Sequence, residues 1–151
     1  MKNTIILLTM LLFSGIGFAQ ESNNGKQLWA KSFLNEKAPE LTVETWISKK
    51  PDTEGKFVII DFWATWCGPC RKAIPELNEI AKEFSKDVVV IGISDEPVEK
   101  IKAMKEPVIE YYYGVDTKKT MDKILEIKGI PHVIIIDPKG IVRWEGFPLL
   151  E

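Results

Sequence analysis

The two cysteines of the 151-residue chain, Cys67 and Cys70, lie in the pentapeptide Trp-Cys-Gly-Pro-Cys at 66–70. An apolar run at 56–64 predicts a buried strand before them, and residues 71–84 carry apolar side chains at helical spacing after them. Cys67 is therefore expected where a strand ends and a helix begins, and free backbone N–H groups and the helix dipole favour a thiolate there. We expect Cys67 to be a nucleophile with a lowered pKa. Cys70, one helical turn further on, is placed to attack a mixed disulfide formed at Cys67.

Two other interpretations of the cysteine pair have less support. A purely structural crosslink between residues three apart closes so small a loop that it restrains the unfolded chain little. A structural zinc site needs four ligands, whereas the two cysteines and the single histidine, His132, supply at most three soft ligands. No nucleotide-binding motif is present, and we expect neither a bound cofactor nor a metal. The pair is therefore interpreted as a redox site.

Asp61 and the Ile130–Pro131 dipeptide are the further candidates for chemistry near the pair. Asp61 is the charged residue of an otherwise apolar strand, six residues before Cys67. Burial would raise its pKa and suit it to exchange protons with the cysteines; the alternative is an aspartate facing solvent at a strand end. A cis bond before Pro131 would leave the backbone of Ile130 free to pair with an extended peptide, whereas a trans proline at a strand start is the commoner case.

The N-terminal residues have the composition of an export signal. After Lys2, residues 4–18 are almost free of charge, and small residues follow at the positions that a signal peptidase needs. The apolar core of about 15 residues is short of the roughly 20 that span a bilayer, so no stable membrane insertion is expected. We predict a signal peptide at 1–19, an N-terminal leader at 20–37 and one domain at 38–151, located in the periplasm or otherwise outside the cytoplasm.

Composition and charge limit the possible classes. Without the predicted signal peptide, which contains only Lys2, the chain has 19 basic and 22 acidic residues. This mildly acidic balance argues against a nucleic-acid partner. The length and the 45% apolar content suit one globular domain with an adequate core. Two cysteines in so large a domain do not form a disulfide framework, so both are expected to act in a reaction.

The order of predicted elements favours an α/β fold. Parallel strands linked by helices, followed by an antiparallel pair, imply a mixed central sheet flanked by helices. The predicted strands are 41–47, 56–64, 87–94, a short one within 107–113, and a hairpin of 132–136 with 141–144; the predicted helices are 67–84, kinked at Pro75, then 97–104 and 118–128.

The motif at 61–70, Asp-Phe-Trp-Ala-Thr-Trp-Cys-Gly-Pro-Cys, with Pro75 and the Gly-Ile-Pro at 129–131, closely resembles thioredoxin and its exported TlpA/ResA-type relatives. The resemblance covers residues 38–147. It implies a thioredoxin fold and a thiol:disulfide oxidoreductase in which Cys67 attacks and Cys70 resolves. By the same resemblance Asp61 matches the buried acid of thioredoxin. The predicted substrate contacts are Trp66, Gly68, Pro69, Ile130 and Pro131, the last matching the cis proline beside the disulfide.

The resemblance also implies a physiological role. The Gly-Pro dipeptide between the cysteines resembles the reducing members, so the predicted activity is reduction of disulfides in exported proteins. Electrons would come from a membrane thiol reductase. Cytochrome c maturation, by reduction of the haem-attachment cysteines of the apoprotein, is one duty that the exported group suggests.

Three departures from the family pattern stand out. Ala73 occupies a position where many exported relatives have Glu, and His132 follows the proline where thioredoxin has Thr. The family's usual C-terminal helix is absent after the hairpin. A truncated sequence, a covering partner, or replacement of that helix by the segment before Trp46 would each account for this.

Two alternative functions remain open on the sequence alone, and a third is disfavoured. A thiol oxidase or isomerase would use the same cysteine pair with electrons flowing the other way. A copper(I) chaperone would use Cys67, Cys70 and His132, because thiolates and imidazole suit that ion. A peroxidase is disfavoured, because peroxiredoxins have Thr and Pro where this chain has Ala64 and Ile60.

Overall fold

The computed structural model describes residues 28–148 of the chain. The predicted signal peptide and the first residues of the predicted leader lie outside this range. The described residues form six strands and three helices: β1 Thr45–Trp46, β2 Phe57–Phe62, α1 Gly68–Glu83, β3 Val88–Ser94, α2 Val98–Ala103, β4 Tyr112–Val115, α3 Thr120–Leu125, β5 His132–Ile136 and β6 Val142–Gly146.

The strands form one mixed sheet in the order β1-β4-β3-β2-β5-β6. β2, β3 and β4 are parallel neighbours, and helical crossovers connect them in sequence. β5 runs antiparallel to β2, and β6 runs antiparallel to β5, so the sheet ends in the predicted hairpin. The predicted α/β class with a mixed central sheet and flanking helices is confirmed.

The sheet has a hydrophobic layer on each face. The layer under α1 and α2 contains Ile59, Trp63, Ile74, Leu77 and Ile101. The layer under α3 contains Ile60, Phe62, Ile91, Met121 and Leu125. Burying one such aliphatic or aromatic side chain contributes about 1.5–3 kcal/mol. Because side chains alternate along a strand, Asp61 shares the α1 side of β2 with Ile59 and Trp63.

The segment before β1 is attached to the sheet. The backbone N–H of Lys31 donates to the carbonyl of Leu125 (2.8 Å), and that of Asn35 donates to Val142 (2.8 Å). Phe33 and Leu41 pack on the layer under α3. Residues 31–37 of the predicted leader are thus part of the folded structure. The segment covers the α3 face, while an apolar groove remains beside α1, lined by Ile80, Ile135 and Trp144 among others.

Three predicted elements differ from those in the structure. β1 has two residues instead of the seven predicted, and its partner is β4. α3 is shorter than predicted, because Lys119 and Glu126 on either side of it adopt left-handed backbone conformations. The predicted strand within 107–113 is displaced to β4, which starts at Tyr112.

The displacement of β4 is explained by hydrogen bonds between α1 and the segment before the strand. The side chain of Asn78 on α1 donates to the carbonyl of Val108 (2.9 Å) and accepts from the N–H of Glu110 (2.8 Å). These backbone groups are therefore paired with a helix side chain instead of a neighbouring strand. Further along, Gly114 allows β1 to approach β4, since a Cβ at that position would lie 2.7 Å from the carbonyl oxygen of Thr45.

The remaining predictions concern the ends of the chain and the membrane. Between residues 28 and 148, no helix has the length and apolar composition that would carry it across a membrane. Pro75 lies inside α1, as predicted. The region described after β6 extends only to residue 148 and contains no helix.

Candidate active site

Cys67 lies at the start of α1. It is the N-cap residue, with an extended backbone, and its Sγ accepts the N–H of Cys70 at 3.2 Å. Pro69 occupies the first turn, where a missing N–H leaves no intrahelical bond unmade. The Cys67 N–H donates to the carbonyl of Ala64 (3.1 Å), which closes the turn between β2 and the helix. The strand-to-helix placement predicted for Cys67 is confirmed, and the N-terminal end of α1 is directed at its sulfur.

The two cysteines form a disulfide with a Cα–Cα distance of 5.2 Å. Cys70 is fully buried and Cys67 is 3% exposed. The residues around Cys67 are accessible: Trp66 is 69% exposed, and Gly68 and Pro69 are also exposed. The exposed surface next to the disulfide is therefore the rim formed by residues 66–69, and Cys70 lies behind it.

Asp61 is fully buried on β2. Its Oδ2 accepts a hydrogen bond from the Tyr111 hydroxyl at 3.4 Å, while Oδ1 has no donor among residues 28–148. Burial raises the pKa of Asp61 to about 7, and the Tyr111 hydrogen bond opposes the rise. The predicted burial and raised pKa are present. A carboxyl group with such a pKa can both accept and donate a proton near neutral pH; its role in exchange with the cysteines stays a prediction.

Glu96, just after β3, holds the loop that carries Cys67. Its carboxylate accepts from the backbone N–H (2.6 Å) and the hydroxyl (2.9 Å) of Thr65, two residues before Cys67. The ammonium of Lys100 lies 2.7 Å from the same carboxylate. Burial raises the pKa of Glu96, but the hydrogen bonds from Lys100 and Thr65 lower it more, so the pKa lies below its ordinary value. Glu96 is therefore a buried, ionised anchor for the active-site loop.

The Ile130–Pro131 bond is cis, the isomer that the resemblance implies. Pro131 is buried and Ile130 is partly exposed. Ile130 and Trp66 line the same cleft beside the disulfide loop. The structure thus brings two of the predicted substrate contacts to one opening.

His132 does not join the cysteines in a metal site. It is 2% exposed, and its ring stacks on Phe62 with the centroids 6.1 Å apart. Burial lowers the pKa of His132, against an opposing effect of Glu145. Over the described part of the chain, no group of three or more His, Cys, Asp and Glu side chains is placed to hold a metal ion. The copper alternative has no geometric support here.

A model of the AhpC/TSA family matches residues 34–145, well over half of the chain. The chain belongs to the AhpC/TSA family. Two relatives are named for thiol:disulfide interchange. The protein DsbE of Pseudomonas aeruginosa is 29% identical, with 95% of this chain and 83% of that relative covered. The protein HelX of Rhodobacter capsulatus is 27% identical, with 96% and 86% covered.

A solved structure gives the same assignment for the fold. The solution structure of a proposed protein disulfide isomerase from Bacteroides thetaiotaomicron superposes with a TM-score of 0.73 and 30% identity, over 82% of this chain and 84% of that one. The predicted thioredoxin fold is confirmed. With the Cys67–Cys70 disulfide and the named relatives, this AhpC/TSA family member is a thiol:disulfide oxidoreductase.

Three contributors to the site were not found from the sequence: Thr65, Glu96 and Tyr111. Glu96 follows the carboxyl end of β3, and the carboxyl ends of parallel strands meet at one edge of a sheet, so its position held a usable signal. Tyr111 gave none, because its hydroxyl reaches Asp61 across a separation of 50 residues.

Proposed function

We propose that this protein is an exported reductant of disulfides in other exported proteins, acting through a Cys67/Cys70 dithiol–disulfide cycle. The observation that carries the proposal is the position of the Cys67 sulfur. It accepts a backbone N–H at the start of α1 beside an exposed rim, while Cys70 is buried behind it. That arrangement makes Cys67 the group that meets a client and Cys70 the group that releases it.

The cycle transfers two electrons to the client. The thiolate of Cys67 attacks one sulfur of the client disulfide, and the other client sulfur leaves as a thiolate that takes up a proton. Cys70 then loses its proton and attacks the Cys67 sulfur, which releases the second client thiol and leaves the Cys67–Cys70 disulfide. Asp61 suits the transient role of proton acceptor for Cys70, since it shares the buried α1 side of the sheet and its pKa is about 7.

The finer parts of the proposal concern direction, location and client. The signal-peptide composition of residues 1–19 supports export. A membrane thiol reductase would return the disulfide to the dithiol. The reducing direction is supported by the Gly-Pro dipeptide between the cysteines. Relatives named for thiol:disulfide interchange support protein clients, and apocytochrome c is the client that the resemblance suggests.

The reduction potential of the Cys67/Cys70 pair tests the direction. Purified protein is equilibrated with glutathione or dithiothreitol buffers, and the two states are resolved by alkylation and mass spectrometry. A reductant should lie near the thioredoxin value of about −270 mV and an oxidant near about −120 mV, a gap of roughly 7 kcal/mol. A value near the second would make the protein an oxidase or isomerase.

The division of labour is tested with paired variants. Cys70→Ser should trap a mixed disulfide with a model client, and Cys67→Ser should not. Equal trapping by both variants would contradict the assigned roles.

A further inference from the structure

The cleft lined by Trp66 and Ile130 extends beyond the disulfide loop. The proposed dithiol–disulfide cycle does not use the far side of this cleft. The cleft has a volume of about 180 Å³. Its far side is built from the loops after β3 and β4 and from α3. A polypeptide whose disulfide reaches Cys67 over the rim would place a neighbouring side chain in this cleft.

Three carboxylates line the far side of the cleft: Asp95, Asp116 and Asp122. Asp116 is only 3% exposed. Its Oδ2 accepts the backbone N–H of Met121 at 2.7 Å, but its Oδ1 has no hydrogen-bond donor among residues 28–148. A buried carboxylate oxygen without a donor is costly, and a donor from a bound ligand would remove that cost.

The cations already present do not balance these acids. Lys119 is committed to Asp95, with Nζ 2.6 Å from Oδ2. Lys128 is exposed at the edge of the cleft. Burial and the nearby charge of Asp95 raise the pKa of Asp122, with Lys119 opposing and Asp116 adding to the rise. The carboxylates of Asp116 and Asp122 therefore repel each other and would gain from a further cation between them.

The rest of the cleft lining is largely apolar. Phe62, Ile93 and Ile127 line it together with Trp66. A long basic side chain fits both halves, because its aliphatic stem can lie on apolar surface while its charged end meets carboxylates. A short side chain would not reach the carboxylates, and an acidic one would be repelled by them.

We propose that this cleft is a specificity subsite for a lysine or arginine side chain that flanks the reacting cysteine of the client. The stem lies along Trp66 and Ile127, and the cationic group reaches Asp116 and Asp122. The inference rests on the proposed function, since it concerns the client of the same Cys67/Cys70 pair. It adds a preference for basic residues near the client disulfide.

The test uses a series of synthetic peptides, each with one intramolecular disulfide. A single lysine is moved through the three positions on either side of the first cysteine, and norleucine and glutamate peptides serve as matched comparisons at every position. Two rates are measured: kcat/KM for disulfide reduction, and formation of the mixed disulfide by reduced Cys70→Ser protein. At one position, lysine should raise both rates about five- to tenfold over norleucine, between an exposed ion pair and a buried charged hydrogen bond.

Variants locate the preference in the cleft. Asp122→Asn and Asp116→Asn should each remove most of it, and the asparagine at 116 can still accept the Met121 N–H. Asp87→Asn changes the net charge equally at the opposite end of β3, where the residue is exposed, and should keep the preference. Lys128→Ala should increase the advantage of lysine over norleucine.

The possible outcomes distinguish failure of the subsite from failure of the proposed reductase function. Equal rates for lysine, norleucine and glutamate peptides, or equal losses in Asp122→Asn and Asp87→Asn, would overturn the subsite and leave the reductase intact. Failure to reduce any peptide in the series would overturn both. Melting temperatures of the oxidised variants show whether Asp116→Asn is folded. If Asp116→Asn is not folded, the comparison of Asp122→Asn with Asp87→Asn decides the outcome.

Discussion

Two buried carboxylates, one near the end of β2 and one just after β3, have opposite charge preferences. Asp61 is fully buried with one hydrogen bond of 3.4 Å, and its pKa is raised to about 7. Glu96 is 5% exposed with Thr65 and Lys100 as partners at 2.6–2.9 Å, and its pKa is lowered. Both side chains are shielded from solvent, but Asp61 lies deeper in the protein, and burial is the main cause of its raised pKa. Glu96 lies nearer the surface and has several partners, so depth and partners together decide which of the two is charged.

The difference matches what each residue is proposed to do. A group that exchanges protons needs both protonation states to be accessible near the working pH. A group that anchors a loop needs one state held firmly, with its acceptors always available. The few partners of Asp61 and the several partners of Glu96 meet these two needs within one site.

Replacing Asp61 with Asn should give the largest effect. The pKa of Asp61 is 3.8 in the absence of burial and about 7 in the folded protein, so the folded state binds this proton more tightly. Stability from this group is complete below pH 3.8 and is lost as the pH rises through 7, a change of about 4 kcal/mol. Asn cannot ionise, so Asp61→Asn should remove that slope. The variant should be more stable than the wild type above pH 7 by up to about 4 kcal/mol, measured by denaturant unfolding from pH 4 to 8.5.

Asp87→Asn is the matched control for that experiment, because Asp87 is an exposed aspartate directly before β3. Its stability curve should run parallel to that of the wild type. If the stability curve of Asp61→Asn also runs parallel to that of the wild type, Asp61 is not the source of the pH dependence of stability.

Replacing Glu96 with Ala should act in the opposite direction. Removal of the carboxylate leaves the N–H and hydroxyl of Thr65 without their acceptor, at a cost of about 2 kcal/mol at neutral pH. Because the pKa of Glu96 is lowered, its contribution is present above its ordinary value of 4.5 and is lost as the pH falls through the folded value. The difference between Glu96→Ala and wild type in unfolding free energy should therefore shrink in acid.

The anchoring role of Glu96 has its own readout. The rate of Cys67 alkylation in the reduced protein should change in Glu96→Ala, since Thr65 lies two residues before the sulfur. Glu96→Gln keeps an acceptor for Thr65 and should restore most of the wild-type rate. Asp95→Asn alters a neighbouring carboxylate that pairs with Lys119. If it changes the alkylation rate of Cys67 as much as Glu96→Ala does, Glu96 is not a specific anchor of the loop.

The contrast between the two carboxylates also marks the limit of sequence-based prediction. The placement of Asp61 within a buried strand could be predicted, because the run of apolar residues around it is continuous and indicates a strand covered on both faces. The same local logic predicts the start of α1 at the cysteine motif and the hairpin around the turn at 137–140. These features depend on neighbours within a few residues.

The environment of each carboxylate could not be predicted in the same way. Thr65 and Glu96 are 31 residues apart in sequence, and Tyr111 is 50 residues from Asp61. Such pairs can be predicted only when the register of β2, β3 and the segment before β4 is known. The displacement of β4 could not be predicted for the same reason, since it depends on hydrogen bonds between Asn78 and residues 108–110.

Removing the Tyr111 hydroxyl should increase the difference in pKa between Asp61 and Glu96, with a smaller effect on stability than the two replacements above. The hydroxyl donates to Asp61 and opposes the effect of burial, so Tyr111→Phe should move the pKa of Asp61 above 7. At 3.4 Å the bond is long, and we expect a loss of about 1 kcal/mol in stability at pH 8. The midpoint of the pH dependence of unfolding measures the shift. In the Asp61→Asn background the tyrosine change should no longer move any midpoint, and a shift that persists there would assign the effect to another group.

The smallest effect is expected from the cation beside Glu96. Lys100 is 56% exposed, so its ion pair with Glu96 is screened by solvent and worth at most about 0.5 kcal/mol. Lys100→Ala should therefore leave unfolding in denaturant nearly unchanged and become indistinguishable from wild type at high salt. Thr65→Val, which removes one hydroxyl donor but keeps the backbone N–H, should cost more than Lys100→Ala. If the order is reversed, the lysine and not the loop holds Glu96 in its charged state, and the contrast with Asp61 rests on a surface charge instead of on buried hydrogen bonds.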